Sequence, residues 1–93
     1  MSRLKIIGLF ADWDSANAKK ESDFYREVKN RRGISYEILN VEEEKGLKYS
    51  IKYGIRNVPA ILFMKNGQLL GVERGNDAYL KIKDYINNTQ HGY

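Results

Sequence analysis

Ninety-three residues with 42% hydrophobic and 30% charged side chains suit one globular domain, 1–93, and one proline with eight glycines excludes a low-complexity or collagenous chain. The absence of cysteine excludes a disulfide, a thiol nucleophile and a thiolate metal site within these residues. A net charge of +4, from 16 basic and 12 acidic residues, favours acidic partners but falls short of a nucleic-acid signature.

Leu4–Phe10 reads as a strand, and the unbroken Ile6-Ile7-Gly8-Leu9-Phe10 run predicts burial on both faces. The apolar stretch runs straight into Asp12 and Asp14, too short for a secretion signal or a membrane span. The expectation is therefore a cytoplasmic protein with no membrane contact. Asp14 or Ser15 can cap a helix running to about Arg31, with Phe24 and Val28, and Ala18 and Tyr25, forming its apolar stripe; Gly33 ends it. Ile34–Asn40 alternates Ile34, Tyr36 and Ile38 with polar neighbours, a second strand. Residues 42–53 form a short helix, with Glu42, Glu43 and Glu44 at its N-terminus, Leu47 and Ile51 one turn apart, Gly46 interrupting and Gly54 as the stop. Ala60–Met64 and Leu69–Arg74 are strands joined by Asn66-Gly67, a pair suited to the positive φ angles of a tight hairpin. Asn76 or Asp77 caps a last helix with Ala78, Ile82 and Ile86 on one face and Tyr85 beside them. The order β-α-β-α-β-β-α predicts an α/β fold, a four-stranded mixed sheet flanked by three helices.

Three segments in that order resemble the thioredoxin family. Phe10-Ala11-Asp12-Trp13-Asp14-Ser15-Ala16-Asn17 is similar to the aromatic-Ala-x-Trp-Cys-x-x-Cys segment that ends the first core strand. Tyr53-Gly54-Ile55-Arg56-Asn57-Val58-Pro59-Ala60 resembles the segment carrying the family's cis-proline. Phe63-Met64-Lys65-Asn66-Gly67 resembles the family's hairpin, with Gly75 at the usual interval. Asn40-Val41 matches the end of the family's next strand. The resemblance covers residues 4–88 and implies a thioredoxin-like fold lacking the N-terminal β-α extension.

The departures are chemical. Asp14 and Asn17 stand at the two cysteine positions, so Asp14, Ser15, Ala16 and Asn17 form a degenerate active-site turn. Gly8 stands where many members bury a carboxylate that assists proton transfer. Exchange requires a thiolate attacking a disulfide sulfur, and neither a carboxylate nor an amide replaces it. Laboratory removal of cysteine usually leaves Ser or Ala, so Asp and Asn look like natural divergence, and whether the loss is natural or engineered stays open.

The resemblance implies a groove of Trp13, Asp14, Val58, Pro59 and Gly75 that needs no thiol to receive a protein or an extended peptide segment. On a plainer reading Trp13 and Pro59 serve the fold, and Asp14 caps a helix for about 0.3–1 kcal/mol. Two alternatives differ in class. Lys19, Lys20, Arg26, Lys29, Arg31 and Arg32 form a basic surface on or just after the first helix that can meet nucleic acid, although Glu21, Asp23 and Glu27 interleave with them. Ser15 is the hydroxyl a glutathione-binding enzyme would use, but the base and helical domain of such enzymes have no counterpart here. His91 has no acidic cluster beside it, and Glu42, Glu43 and Glu44 point in different directions. No cofactor, metal or catalytic residue is expected, and the oligomeric state stays open, with Leu69–Arg74 an edge able to pair.

Overall fold

The computed structural model describes residues 4–11, 15–29 and 31–90. Over these the elements are β1 (Leu4–Phe10), α1 (Ser15–Val28), β2 (Ile34–Asn40), α2 (Glu44–Lys52), β3 (Ala60–Lys65), β4 (Gln68–Arg74), a 3₁₀ turn (Ala78–Lys81) and α3 (Ile82–Gln90). The four strands form one mixed sheet in the order β2-β1-β3-β4. β1 is parallel to β2, with Leu4 opposite Ile34 and Phe10 opposite Asn40, and antiparallel to β3, with Leu9 opposite Ala60. β3 and β4 are antiparallel with a register shift at Phe63/Met64. β2 and β4 are the edges, as the antiparallel hairpin predicts for β4.

The period of two along β1 sends side chains into two cores. Leu4, Ile6 and Phe10 join Ile61, Phe63, Phe24, Val28, Ile82 and Ile86 on one face, the side of α1 and α3. Ile7 and Leu9 join Leu62 and Met64 on the other, where Tyr49 of α2 and Tyr53 just after it pack. Each such side chain, fully buried, contributes roughly 1.5–3 kcal/mol of transfer free energy. Gly8 lies between Ile6 and Phe10 on the α1 side. A Cβ there would stand 2.6 Å from Phe10 Cε2 and 3.0 Å from Phe24 Cε2. Those two rings meet edge to face, centroids 5.7 Å apart.

The first helix departs from expectation at its C-terminal end and on one flank. It ends at Val28, short of Arg31, and Gly33 (φ +75°) serves the turn into β2 instead of stopping the helix. Phe24 and Val28 are buried as predicted, whereas Tyr25 is 45% exposed. At 100° per residue it falls on the flank and meets Tyr36 of β2 edge to face, centroids 6.0 Å apart. The proposed cap at Asp14 lies outside the described residues.

Helix α2 turns a different face inward from the one its large apolar residues suggest. Leu47 is 48% exposed and Ile51 72%, while Gly46 and Ser50 are buried. A Cβ on Gly46 would collide with the backbone carbonyl of Asn40. Glycine at 46 is thus the condition for α2 to lie against the end of β2. Gly54 (φ +66°) closes the helix as expected: its N–H donates to Ile51 O at 3.3 Å and the Ile55 N–H to Ser50 O at 2.8 Å.

Asn66 (φ +54°) and Gly67 (φ +79°) make the predicted hairpin turn. The last helix differs at its start. Asp77 makes no side-chain cap bond, and residues 78–81 form the 3₁₀ turn, begun by the Ala78 N–H donating to Gly75 O at 3.1 Å. Ala78, Ile82 and Ile86 are buried along one face as predicted. No helix among the described residues is long and apolar enough to cross a membrane.

Candidate functional site

Trp13 and Asp14 lie outside the described residues, and Ser15, Ala16 and Asn17 open α1. The rest of the expected groove is assembled where β3 begins and β4 ends. The Val58–Pro59 peptide bond is cis. Pro59 O accepts the Gly75 N–H at 3.0 Å, which joins the two turns. Gly75 holds φ +94°, a conformation that a side chain resists. Lys20, Pro59, Gly75 and Tyr79 surround a small cavity of about 10 Å³, the size of one water.

Val58 divides its functions between two directions. Its side chain is half-buried against the α2-side core and lines a hollow of about 200 Å³ with Val41, Leu47, Ile55 and Arg56. Its N–H and C=O have no hydrogen-bond partner among the described residues. A backbone donor and acceptor left unpaired beside the Pro59–Gly75 clasp can pair with an extended chain.

Of the six basic residues assigned to α1 and its end, two are held in ion pairs with acidic residues of the helix. The Arg26 guanidinium pairs with Asp23 at 3.2 Å, and Arg31 pairs with Glu27 at 3.3 Å and donates to the Glu27 carbonyl at 2.6 Å. Lys29 Nζ lies 5.7 Å from the centre of the Tyr25 ring. Lys19 and Lys20 have no ion pair among the described residues, and Arg32 is exposed. Glu42, Glu43 and Glu44 are all exposed, and no acidic or histidine group suited to a metal ion occurs among the described residues.

A basic and aromatic face on α2 was not legible as a site. Lys45, Lys48 and Lys52 fall within one helical stripe, and Tyr49 and Tyr53 form the next stripe toward the sheet. With Met64 they line a hollow of about 490 Å³ that ends at the hairpin turn, Gly67. The two tyrosine rings stack at 6.1 Å and 20°, and Lys52 Nζ lies 5.4 Å from the centre of the Tyr53 ring. Lys45 Nζ donates to Glu37 Oε1 at 2.6 Å, and Lys5 Nζ lies 3.5 Å from the same oxygen. Partial burial alone would raise the Glu37 pKa. The Lys45 hydrogen bond and the charges of Lys5 and Lys45 outweigh it and hold the carboxyl below its ordinary range. The signal was the repeat of lysine at 45, 48 and 52 beside tyrosine at 49 and 53, which the interrupting Gly46 obscured.

No known family profile matches the chain. A thioredoxin of Buchnera aphidicola subsp. Baizongia pistaciae is 32% identical over 50 residues, 54% of this chain and 46% of that one, so the match spans less than half of that relative. Thioredoxin C-2 of Corynebacterium nephridii is 25% identical over 84 residues, 90% of this chain and 77% of that one. Fasciola hepatica thioredoxin superposes with a TM-score of 0.79 at 19% identity, covering 92% of this chain and 80% of its own. A chain from a complex of ferredoxin:thioredoxin reductase with thioredoxin f2 superposes at 0.78 and 12% identity, covering 95% and 78%. The fold is therefore the thioredoxin fold, in the α/β arrangement expected. The protein is thioredoxin-like in sequence as well, and it carries no cysteine.

Proposed function

We propose that the protein is a redox-inactive, thioredoxin-like binding module, not an enzyme, that holds an extended segment of a protein partner in the groove of Trp13, Asp14, Val58, Pro59 and Gly75. The observation that carries this reading is that the N–H and C=O of Val58, beside the Pro59–Gly75 hydrogen bond, have no partner among the described residues. Two backbone hydrogen bonds to an incoming strand are indifferent to thiol chemistry, and alternate side chains of that strand supply specificity. A structural neighbour solved in complex with a reductase supports a protein as the class of partner.

The test is affinity capture from native lysate with the intact chain and with Trp13→Ala/Val58→Asp, each with and without nuclease, circular dichroism confirming that the variant folds. The captured protein is then titrated in purified form. At least tenfold weaker binding by the variant, indifferent to nuclease, is the expected result. Equal binding by the two overturns the reading. The intact chain should also leave the reduction of a disulfide-bonded substrate by dithiothreitol at its uncatalysed rate.

A further inference from the structure

The hollow between α2 and the β3–β4 turn carries a ligand chemistry of its own, independent of the groove. It lies toward the Gly67 end of the hairpin, whereas Pro59 and Gly75 lie at the other end, about 20 Å away at the rise of a strand. Its volume of about 490 Å³ is within the range of small-ligand sites. One wall is cationic: Lys45, Lys48 and Lys52 span about 10 Å along the helix, enough for adjacent phosphates of a strand. The other wall is aromatic, with Tyr49 and Tyr53 half-buried and Met64 beneath. The acidic groups facing these lysines are Glu37, which holds Lys45 and Lys5, and Glu44, which lies 3.5 Å from a largely exposed Lys48. An ion pair so exposed is nearly worthless and yields to a phosphate. Lys52 has no acidic partner among the described residues and sits over the Tyr53 ring, so a base that takes that face displaces the ammonium toward the phosphate it brings.

The geometry points to a nucleotide-binding site: the base of a nucleotide stacks on Tyr53, and its phosphate, or those of a single strand, lies along Lys45, Lys48 and Lys52. A flat apolar ring beside a row of cations matches the alternation of base and phosphate, and this combination recurs where single strands are held without sequence preference. A purely acidic peptide would use the lysines and leave the tyrosines idle, so charge alone does not describe the face.

The experiment is a nitrogen–proton correlation titration of the isotope-labelled chain with adenosine monophosphate and, separately, with a single-stranded oligonucleotide. Shifts concentrated at residues 45–53, 64 and 67 are expected. Lys48→Glu/Lys52→Glu should weaken binding at least tenfold, and Tyr53→Leu at least about fivefold, while Tyr53→Phe keeps it. If a strand engages three lysines, a fourfold rise in salt should weaken it by roughly 18-fold; a free nucleotide should show a shallower dependence. Binding of either probe on these terms supports the site, and the salt dependence tells which form it prefers. Failure of both probes to bind, shifts centred on α1, or affinity unchanged in Lys48→Glu/Lys52→Glu overturns it. So does binding untouched by Tyr53→Leu and displaced by a poly-glutamate peptide, the signature of a surface that reads charge only.

Discussion

The ring of Tyr85 lies flat on the ring of Phe63, centroids 3.7 Å apart and planes within 4°, and its hydroxyl donates to Glu73 Oε2 at 3.2 Å. This contact ties α3 to β3 and β4 at once, and the missing side chain of Gly71 makes room for it, because a Cβ there would collide with the Tyr85 hydroxyl. Two variants separate its parts. Tyr85→Phe should lose about 1 kcal/mol in denaturant unfolding, the net worth of one hydrogen bond. Gly71→Ala should lose about 1–3 kcal/mol, because the ring has to leave its stack.

Gly46→Ala gives the sharpest sign. In an exposed helix this change stabilises by up to about 1 kcal/mol. Here the new methyl group meets the Asn40 carbonyl, a backbone atom with nowhere to go, so the expected outcome is a loss of about 1–3 kcal/mol. A rise in the midpoint of urea unfolding would mean that α2 is free to move away from β2.

Glu37 should make stability pH-dependent. Its carboxyl titrates below the ordinary range in the fold because Lys45 and Lys5 outweigh the burial that opposes them. Its contribution is therefore complete above the ordinary carboxylate pKa and is lost as the pH falls through the depressed folded value. Lys45 is raised by the same hydrogen bond, so the pair also weakens as the pH climbs through the raised lysine value. Melting temperatures measured across the acidic limb should fall less steeply in Glu37→Gln than in the parent chain.

Exposed and buried apolar residues should respond in contrast. Ile51→Lys should shift stability by no more than about 0.5 kcal/mol, given 72% exposure of the side chain. Phe24→Ala should cost about 3–5 kcal/mol, because the ring is wholly buried against Phe10. Equal effects would put α2 in a different rotation.

The strands were legible because their signals are local. The Ile6–Phe10 run, the alternation of Ile34, Tyr36 and Ile38, and Asn66-Gly67 each report their own geometry. The rotation of α2 was not legible, because large apolar residues one turn apart mark the inward face only where packing is by bulk. Here the close approach is made by the small residues Gly46 and Ser50, and Leu47 and Ile51 are left outside. The 3₁₀ turn was missed for a similar reason: Asp77 has the chemistry of a cap, but the chain leaving Gly75 turns more tightly than a capped helix start. The neighbourhood of Val58, Pro59 and Gly75 came from the resemblance and from no periodicity, since Gly75 lies far along the chain from the Val58-Pro59 pair. The α2 lysines were hidden by the ordinary look of a charged helix, and only the position of Tyr49 and Tyr53 beside them sets them apart.

Gly8 leaves open the space that the rings of Phe10 and Phe24 fill. Any side chain at 8, a carboxylate included, has first to displace the edges of Phe10 and Phe24. Those rings are core residues, 3% and 0% exposed, and moving them costs stability. The packing therefore couples three positions: a side chain at 8 is accommodated only together with a smaller residue at 10 or 24.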